Sequence, residues 1–412
     1  MKPRLVVLGT GFGALSLLKD LSPSRYATTV ISPRNHFLFT PLLPSTTVGT
    51  IEFLSIAEPI RLAAKGATFM QASAFALDPL RKAICCKDLF SGKEFDIYYD
   101  VLVIAVGAAS NTFGIEGVMQ HALFLKELSD ARLIRQKVID NLEQASLPTV
   151  SEAERKRLLH FVVVGGGPTG VEYAAELADF FDDEVKMYFP NLVQDARITL
   201  VEAGKQILSS FDESLASYTL KVFQRRRIKS ILNTPVKKVE AGRVHLATGE
   251  VLETGLIVWS TGNGPTPFVK ALPFQKDRAG RILTDRYLRV LGQTNIFALG
   301  DCATIEGYSQ PATAQVAMQA GKYLAKLLNR APSPSEAEKS IAPFERQDFG
   351  MLAYIGDDKA LADLPNVKWK GFLTWLFWRA AYLTKLVSIK NKMQVLFDWI
   401  KSRLFGRDLS RF

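Results

Sequence analysis

Two glycine patterns in this chain are spaced to hold a pyrophosphate. Gly9-x-Gly11-x-x-Ala14 follows the apolar run at 5–8, and Gly165-x-Gly167-x-x-Gly170 follows the apolar run at 161–164. In such a pattern the first glycine makes a tight strand-to-helix turn. The second lets the backbone approach the phosphates, and a small third residue lets helix and strand pack. The phosphates then lie at a helix N-terminus, where unpaired N–H groups and the helix dipole favour anions. Gly13 lies inside the first pattern, and Ala14 meets the third requirement less stringently than a glycine.

The strands that follow each turn carry the next layer of chemistry. RITLVE at 197–202 ends on Glu202. A carboxylate there accepts hydrogen bonds from both adenosine ribose hydroxyls and repels a 2′-phosphate, so it favours NADH over NADPH. The spacing from Gly165 to Glu202 is wide because residues 181–195 read as an insert. Lys205 lies close by and tempers the preference. In the first unit the matching strand end reads Val30-Ile31-Ser32-Pro33-Arg34, and Ser32 offers a weaker ribose contact than an acid would. Two further apolar strands end in glycine, DVLVIAVGA around Gly107 and GLIVWSTGN around Gly262, and a third ends in Gly300-Asp301. A lone Gly-Asp pair reads as an ordinary helix cap. Beside two fingerprints, Asp301 reads as the acid that touches the ribityl chain and phosphates of a flavin. Glu172, just inside the second glycine helix, reads either as an acid that influences nicotinamide placement or as a first-turn Glu favoured by the helix dipole.

The elements that must position these residues form a repeat. Strand, glycine turn and helix occur at 4–20 and again at 158–180, which predicts an α/β fold with two Rossmann-type dinucleotide-binding domains. The spacing predicts a helix over 311–329, which returns the chain to the first unit and makes that unit discontinuous. The expected division is an FAD-binding domain at 1–125 and 284–340, an NADH-binding domain at 126–283, and a C-terminal helical membrane-anchoring module at 341–412. Residues 331–341 read as a polar linker. A length of 412 residues, 48% of them hydrophobic and 22% charged, suits two or three globular units.

Composition narrows the chemistry. Three cysteines, Cys85, Cys86 and Cys302, form no CxxC, and no zinc-ligand spacing occurs, so neither a dithiol partner for the flavin nor a metal site is expected. The flavin must then deliver electrons to a diffusible acceptor. The net charge is +10, and residues 368–412 hold ten Lys or Arg against only Asp398 and Asp408, a surplus of eight. A nearly neutral body with a basic, aromatic tail points to anionic lipid rather than nucleic acid. Trp375, Trp378 and Tyr382 lie in one tail segment. Leu386, Ile389, Met393, Leu396, Phe397, Ile400 and Leu404 fall on one helical face of the next, with Lys390, Lys392, Lys401 and Arg403 elsewhere. No run of about twenty apolar residues is present. An interfacial membrane helix is therefore expected, and packing into a dimer interface is a compatible reading. No signal peptide is read before the first strand.

Taken together, these residues resemble the type II, non-proton-pumping NADH:quinone oxidoreductases, particularly the fungal mitochondrial form. The resemblance rests on NHFLFTPLLP at 35–44, VVVGGGPTGVE at 162–172, TNIFALGDCA at 294–303, PATAQVAMQ at 311–319 and VLFDWIKSRLFGRD at 395–408. It implies FAD near Gly9, Gly11, Thr40, Pro41, Leu42 and Asp301, and NADH near Gly165, Gly167, Gly170, Glu172 and Glu202. It implies that Ala314 and Gln315 lie on the quinone side of the flavin, with Gln315 as the quinone contact. It also implies C-terminal helices that bind the membrane and help form a homodimer. The location implied is peripheral, on a bacterial cytoplasmic membrane or the mitochondrial inner membrane. One departure is Met318, where many members carry a His able to hydrogen-bond the quinone or pass it a proton. The calcium-binding insertion of some members has no counterpart. The rival readings are a sulfide:quinone oxidoreductase-like enzyme, which needs spaced cysteines, a soluble reductase, which needs no amphipathic tail, and an apoptosis-inducing-factor-like NADH sensor, which would lack rapid quinone turnover.

Overall fold

Val101–Ile104 is apolar at every position and buried at every position. Strands of that kind belong in the middle of a parallel sheet covered on both faces. In this computed structural model, which describes residues 1–330 and 340–410, that is where it lies. The sheet order is Ile296–Ala298, Val101–Ile104, Arg4–Leu8, Ala27–Ser32 and Thr68–Asp78, all parallel. Thr68–Asp78 then continues into an antiparallel meander with Ala83–Asp88 and Glu94–Tyr98. The helices Phe12–Asp20 and Ala314–Arg330 pack closely enough that a Cβ on Gly321 would come 2.2 Å from the Gly13 carbonyl. These elements belong to a compact unit of residues Met1–Leu38, Ala57–Ala109 and Asn263–Gln347. Most of the expected linker, residues 331–339, lies outside the described residues.

A second compact unit comprises Phe39–Ile56, Ser110–Gly262 and Asp348–Phe412. Its sheet is also parallel, in the order Leu123–Phe124, Leu256–Trp259, His160–Val164, Arg197–Val201 and Ile228–Ile231. The helix Pro168–Phe180 leaves the central strand and runs on into a π-helical turn at Phe181–Val185, within the segment read as an insert. The C-terminal residues of this unit build a three-stranded antiparallel sheet from Met351–Gly356, Lys359–Leu364 and Val367–Gly371. Two helices follow, Phe372–Lys385 and Ile389–Phe405. They are tied to the body by polar contacts: Asn391 donates to the Ser55 carbonyl at 3.0 Å, and the Glu52 N–H donates to Asp398 at 3.1 Å.

Candidate functional site

The first glycine turn has the shape of a cradle. Gly9 has φ +106°, and a Cβ there would come 2.3 Å from the Ala105 carbonyl oxygen. A Cβ on Gly13 would come 2.2 Å from a Leu299 methyl. Between them Gly11, the N-cap of the helix, has nothing within 4 Å of its Cβ position. Ala14 is fully buried. The pattern of crowded, open, crowded positions leaves Gly11 open for the close backbone approach that a phosphate needs. Gly107 and Gly300 both have positive φ, and Asp301 sits in the 3-10 turn Gly300–Cys302. Ala314 and Gln315 open the helix Ala314–Arg330, with Met318 half-buried one turn on. Ser32 is buried, and its Oγ accepts the Arg34 N–H at 3.2 Å and meets Thr10 Oγ1 at 3.3 Å. Thr10, which sequence reasoning passed over, also donates to the His36 carbonyl at 3.1 Å and so ties the glycine turn to the strand end. Cys302 is buried, and burial pushes its thiol up to about 12, which leaves it inert as a nucleophile.

The second unit repeats the cradle. Gly165 has φ +113°, with its Cβ position 2.7 Å from Thr261 Cβ. Gly170 would meet the Gly165 carbonyl oxygen at 2.0 Å, and Gly167 again faces open space. Gly262 has φ +77° and is crowded by the Asn111 carbonyl. Glu202 lies at the end of its strand with both carboxylate oxygens engaged, Oε2 by the Gly166 N–H and Oε1 by the Gly204 N–H, each at 2.6 Å. Thr40, Pro41 and Leu42 form a 3-10 turn in which Leu42 is buried.

Glu172 is not a first-turn acid of its helix, which begins at Pro168. It is buried within Pro168–Phe180 and accepts the Tyr354 N–H at 3.1 Å. Burial, reinforced by neighbouring Glu176, pushes its carboxyl up to about 8. Glu176 and Asp179 lie on the same helical face, four and seven residues on, and both are buried and shifted upward in the same way. Glu176 accepts from Ser45 Oγ at 2.6 Å and Thr50 Oγ1 at 2.7 Å. Asp179 accepts from the Tyr354 hydroxyl at 2.6 Å and pairs with Arg226 at 2.6 Å. Three acids at helical spacing among Ala, Val and Leu were the available signal for this column.

The C-terminal helices are amphipathic with the apolar face outward. Ile389, Met393, Leu396, Ile400, Phe397 at 64% and Leu404 at 69% are exposed, while Asn391, Asp398 and Trp399 face inward. Phe372, Leu373, Leu376 and Phe377 extend the exposed apolar surface on the preceding helix. The structure moves some expected members off this face. Leu386 is buried at 4%, in the turn between the helices, and Trp375, Trp378 and Tyr382 are buried. Trp378 packs its ring against Tyr354, Tyr382 and Trp399, so these aromatics anchor the helices to the body. Among the described residues no helix is long and apolar enough to cross a membrane.

Comparison with known proteins gives consistent matches. A pyridine nucleotide-disulphide oxidoreductase model matches residues 3–321, and an NDH2 C-terminal domain model matches residues 349–408. The chain is 46% identical to a probable NADH dehydrogenase of Dictyostelium discoideum, over 99% of this chain and 91% of that protein. It is 42% identical to the mitochondrial external NADH-ubiquinone oxidoreductase 2 of Saccharomyces cerevisiae, over 99% and 82% respectively. The solved structure of NDH2 from Plasmodium falciparum in complex with NADH is similar with a TM-score of 0.95 and 30% identity, covering 100% of both chains.

Proposed function

The chain belongs to the type II NADH dehydrogenases within the pyridine nucleotide-disulphide oxidoreductases, and from this we propose that its first glycine cradle holds FAD and its second holds NADH. The reaction is oxidation of NADH by a quinone. When bound, FAD supplies the chemistry, taking a hydride from NADH and giving two electrons to the quinone. The observation that carries the assignment is the pair of cradles, each crowded at its outer small residues and open at Gly11 or Gly167.

The protein's part is to bind and orient. Gly9, Gly11, Gly13 and Ala14 shape the turn for the FAD pyrophosphate, Asp301 and Gly300 hold its ribityl end, and Ser32 offers a ribose contact. Gly107 adds to the flavin surroundings. Gly165, Gly167, Gly170 and Gly262 receive NADH, and Glu202 takes its ribose hydroxyls. Gln315, beside Ala314, contacts the quinone. Met318 can neither donate nor accept a proton there, so quinone protons come from another group or from water. Glu172 presents a protonated carboxyl at neutral pH, because its surroundings hold the proton up to about pH 8.

The outward apolar face at 389–404, flanked by Lys390 and Lys392, supports seating at the surface of an anionic membrane without crossing it. The relatives named as mitochondrial favour a mitochondrial membrane. Part of the same face serves equally as a homodimer contact. The test is steady-state oxidation of NADH by the FAD-loaded protein with and without a short-chain ubiquinone. The reading requires quinone-dependent turnover that is much slower with NADPH. Flavin reduction with no quinone turnover would support the sensor reading instead.

A further inference from the structure

The carboxylate of Glu202 is held in a backbone clasp. Gly166 reaches it from the glycine-rich turn and Gly204 from the loop after its own strand, each through a 2.6 Å N–H···O bond to a different oxygen. Both sides of the clasp are themselves fixed. The Leu208 N–H donates to the Gly166 carbonyl at 2.7 Å, and the Asn233 N–H donates to the Gly204 carbonyl at 2.9 Å. The Thr234 N–H donates to the Glu202 carbonyl at 3.1 Å. A side chain at either glycine would press on the clasped carboxylate. A Cβ at either position would lie 3.0 Å from the Glu202 oxygen that its own N–H engages.

We infer that Gly204 is a specificity-determining positioning residue: with Gly166 it locks the Glu202 carboxylate in place, so that a 2′-phosphorylated nucleotide cannot be admitted by swinging that side chain aside. This rests on the assignment of Glu202 to the NADH ribose. An unclasped glutamate would escape a 2′-phosphate by changing rotamer, a cheap motion for an exposed side chain. Here the same motion breaks two charge-assisted hydrogen bonds. The clasp does not compete with the ribose. Each carboxylate oxygen has two acceptor positions and spends one on an amide, which leaves one for each ribose hydroxyl. Specificity then comes from a built-in repulsion as well as an attraction. No pattern in the sequence marks Gly204, because its partner is a side chain two residues away and its support comes from Asn233.

Two substitutions loosen the clasp without removing the charge. Gly204→Ala keeps an accessible backbone, since Gly204 lies outside the left-handed region, and presses on Oε1. Glu202→Asp is one methylene too short to reach both amides. The measurement is calorimetric titration of the flavin-loaded protein with ADP-ribose and with 2′-phospho-ADP-ribose, together with KM and kcat for NADH. Each variant is expected to narrow the preference for ADP-ribose by about tenfold, a difference of about 1.4 kcal/mol. KM for NADH should rise while kcat stays unchanged. An unchanged preference in both variants, or an equal loss of affinity for both ligands, overturns the inference. An unchanged preference in a folded Gly204→Ala alone does so too. Binding is read without a quinone, so absence of quinone turnover would refute the functional reading while leaving this ratio measurable.

Discussion

Glu172, Glu176 and Asp179 face into the protein together, and burial raises all three. For Glu172 the folded value is about 8 against an ordinary 4.5. The folded state therefore binds more protons than the unfolded state between these two values. This contribution to stability is complete below about pH 4.5 and is lost as pH rises towards 8, at no more than about 1.4 kcal/mol per pH unit for one group. Glu172→Gln keeps an acceptor for the Tyr354 N–H and removes the titration. Thermal unfolding at pH 5.5 and pH 8 should show the variant gaining on the wild type as pH rises. Parallel curves would contradict a buried, protonated Glu172. Such residue-scale facts were only half legible in the sequence. Position and type suggested Glu172 for its place in the first turns of a glycine helix. What sets its chemistry is burial, and part of that cover, Tyr354, lies far along the chain and is brought in by the C-terminal sheet. Ser32 is similar: its type was plain, but its engagement by Thr10 and Arg34 depends on how the turn closes.

The C-terminal helices carry their function on the surface and their fixing points beneath. Because Phe397 and Leu404 are exposed, replacing both with Glu should change stability little, by about 0.5 kcal/mol or less at each site. The same change should abolish co-sedimentation with anionic phospholipid vesicles, and retained binding would remove the membrane role of this face. The fixing point behaves in the opposite way. The Arg407 guanidinium is largely buried, 2.6 Å from the buried carboxylate of Glu184, and its Nε donates to Thr50 Oγ1 at 3.0 Å. Removing one partner of a buried pair costs about 3–5 kcal/mol. Arg407→Ala should therefore lower the unfolding midpoint sharply, whereas a near-neutral result would show that the tail is held without this ion pair. Helix positions and the outward run from Ile389 to Leu404 were readable from periodicity. That Trp375 and Trp378 point inward was not, since aromatic content alone does not distinguish an anchor to lipid from an anchor to protein.

At the scale of the molecule, one supersecondary unit is used twice. The parallel strands Arg4–Leu8 and His160–Val164, each leading to a glycine turn and a buried helix, were legible because local apolar runs and glycine spacing encode them directly. The grouping of Phe39–Ile56 and Asp348–Phe412 with the second unit rests on contacts such as Ser45 to Glu176 and Tyr354 to Glu172, which no local pattern encodes. Two cradles on one chain make sense only if both nucleotides serve one electron path, from NADH through the flavin to a quinone. Anaerobic rapid mixing tests that path most directly. The FAD-loaded protein is mixed first with NADH and then with a short-chain ubiquinone, while flavin absorbance is followed. The account predicts rapid bleaching by NADH and equally complete recovery on addition of quinone. Bleaching that persists in the presence of quinone would contradict it.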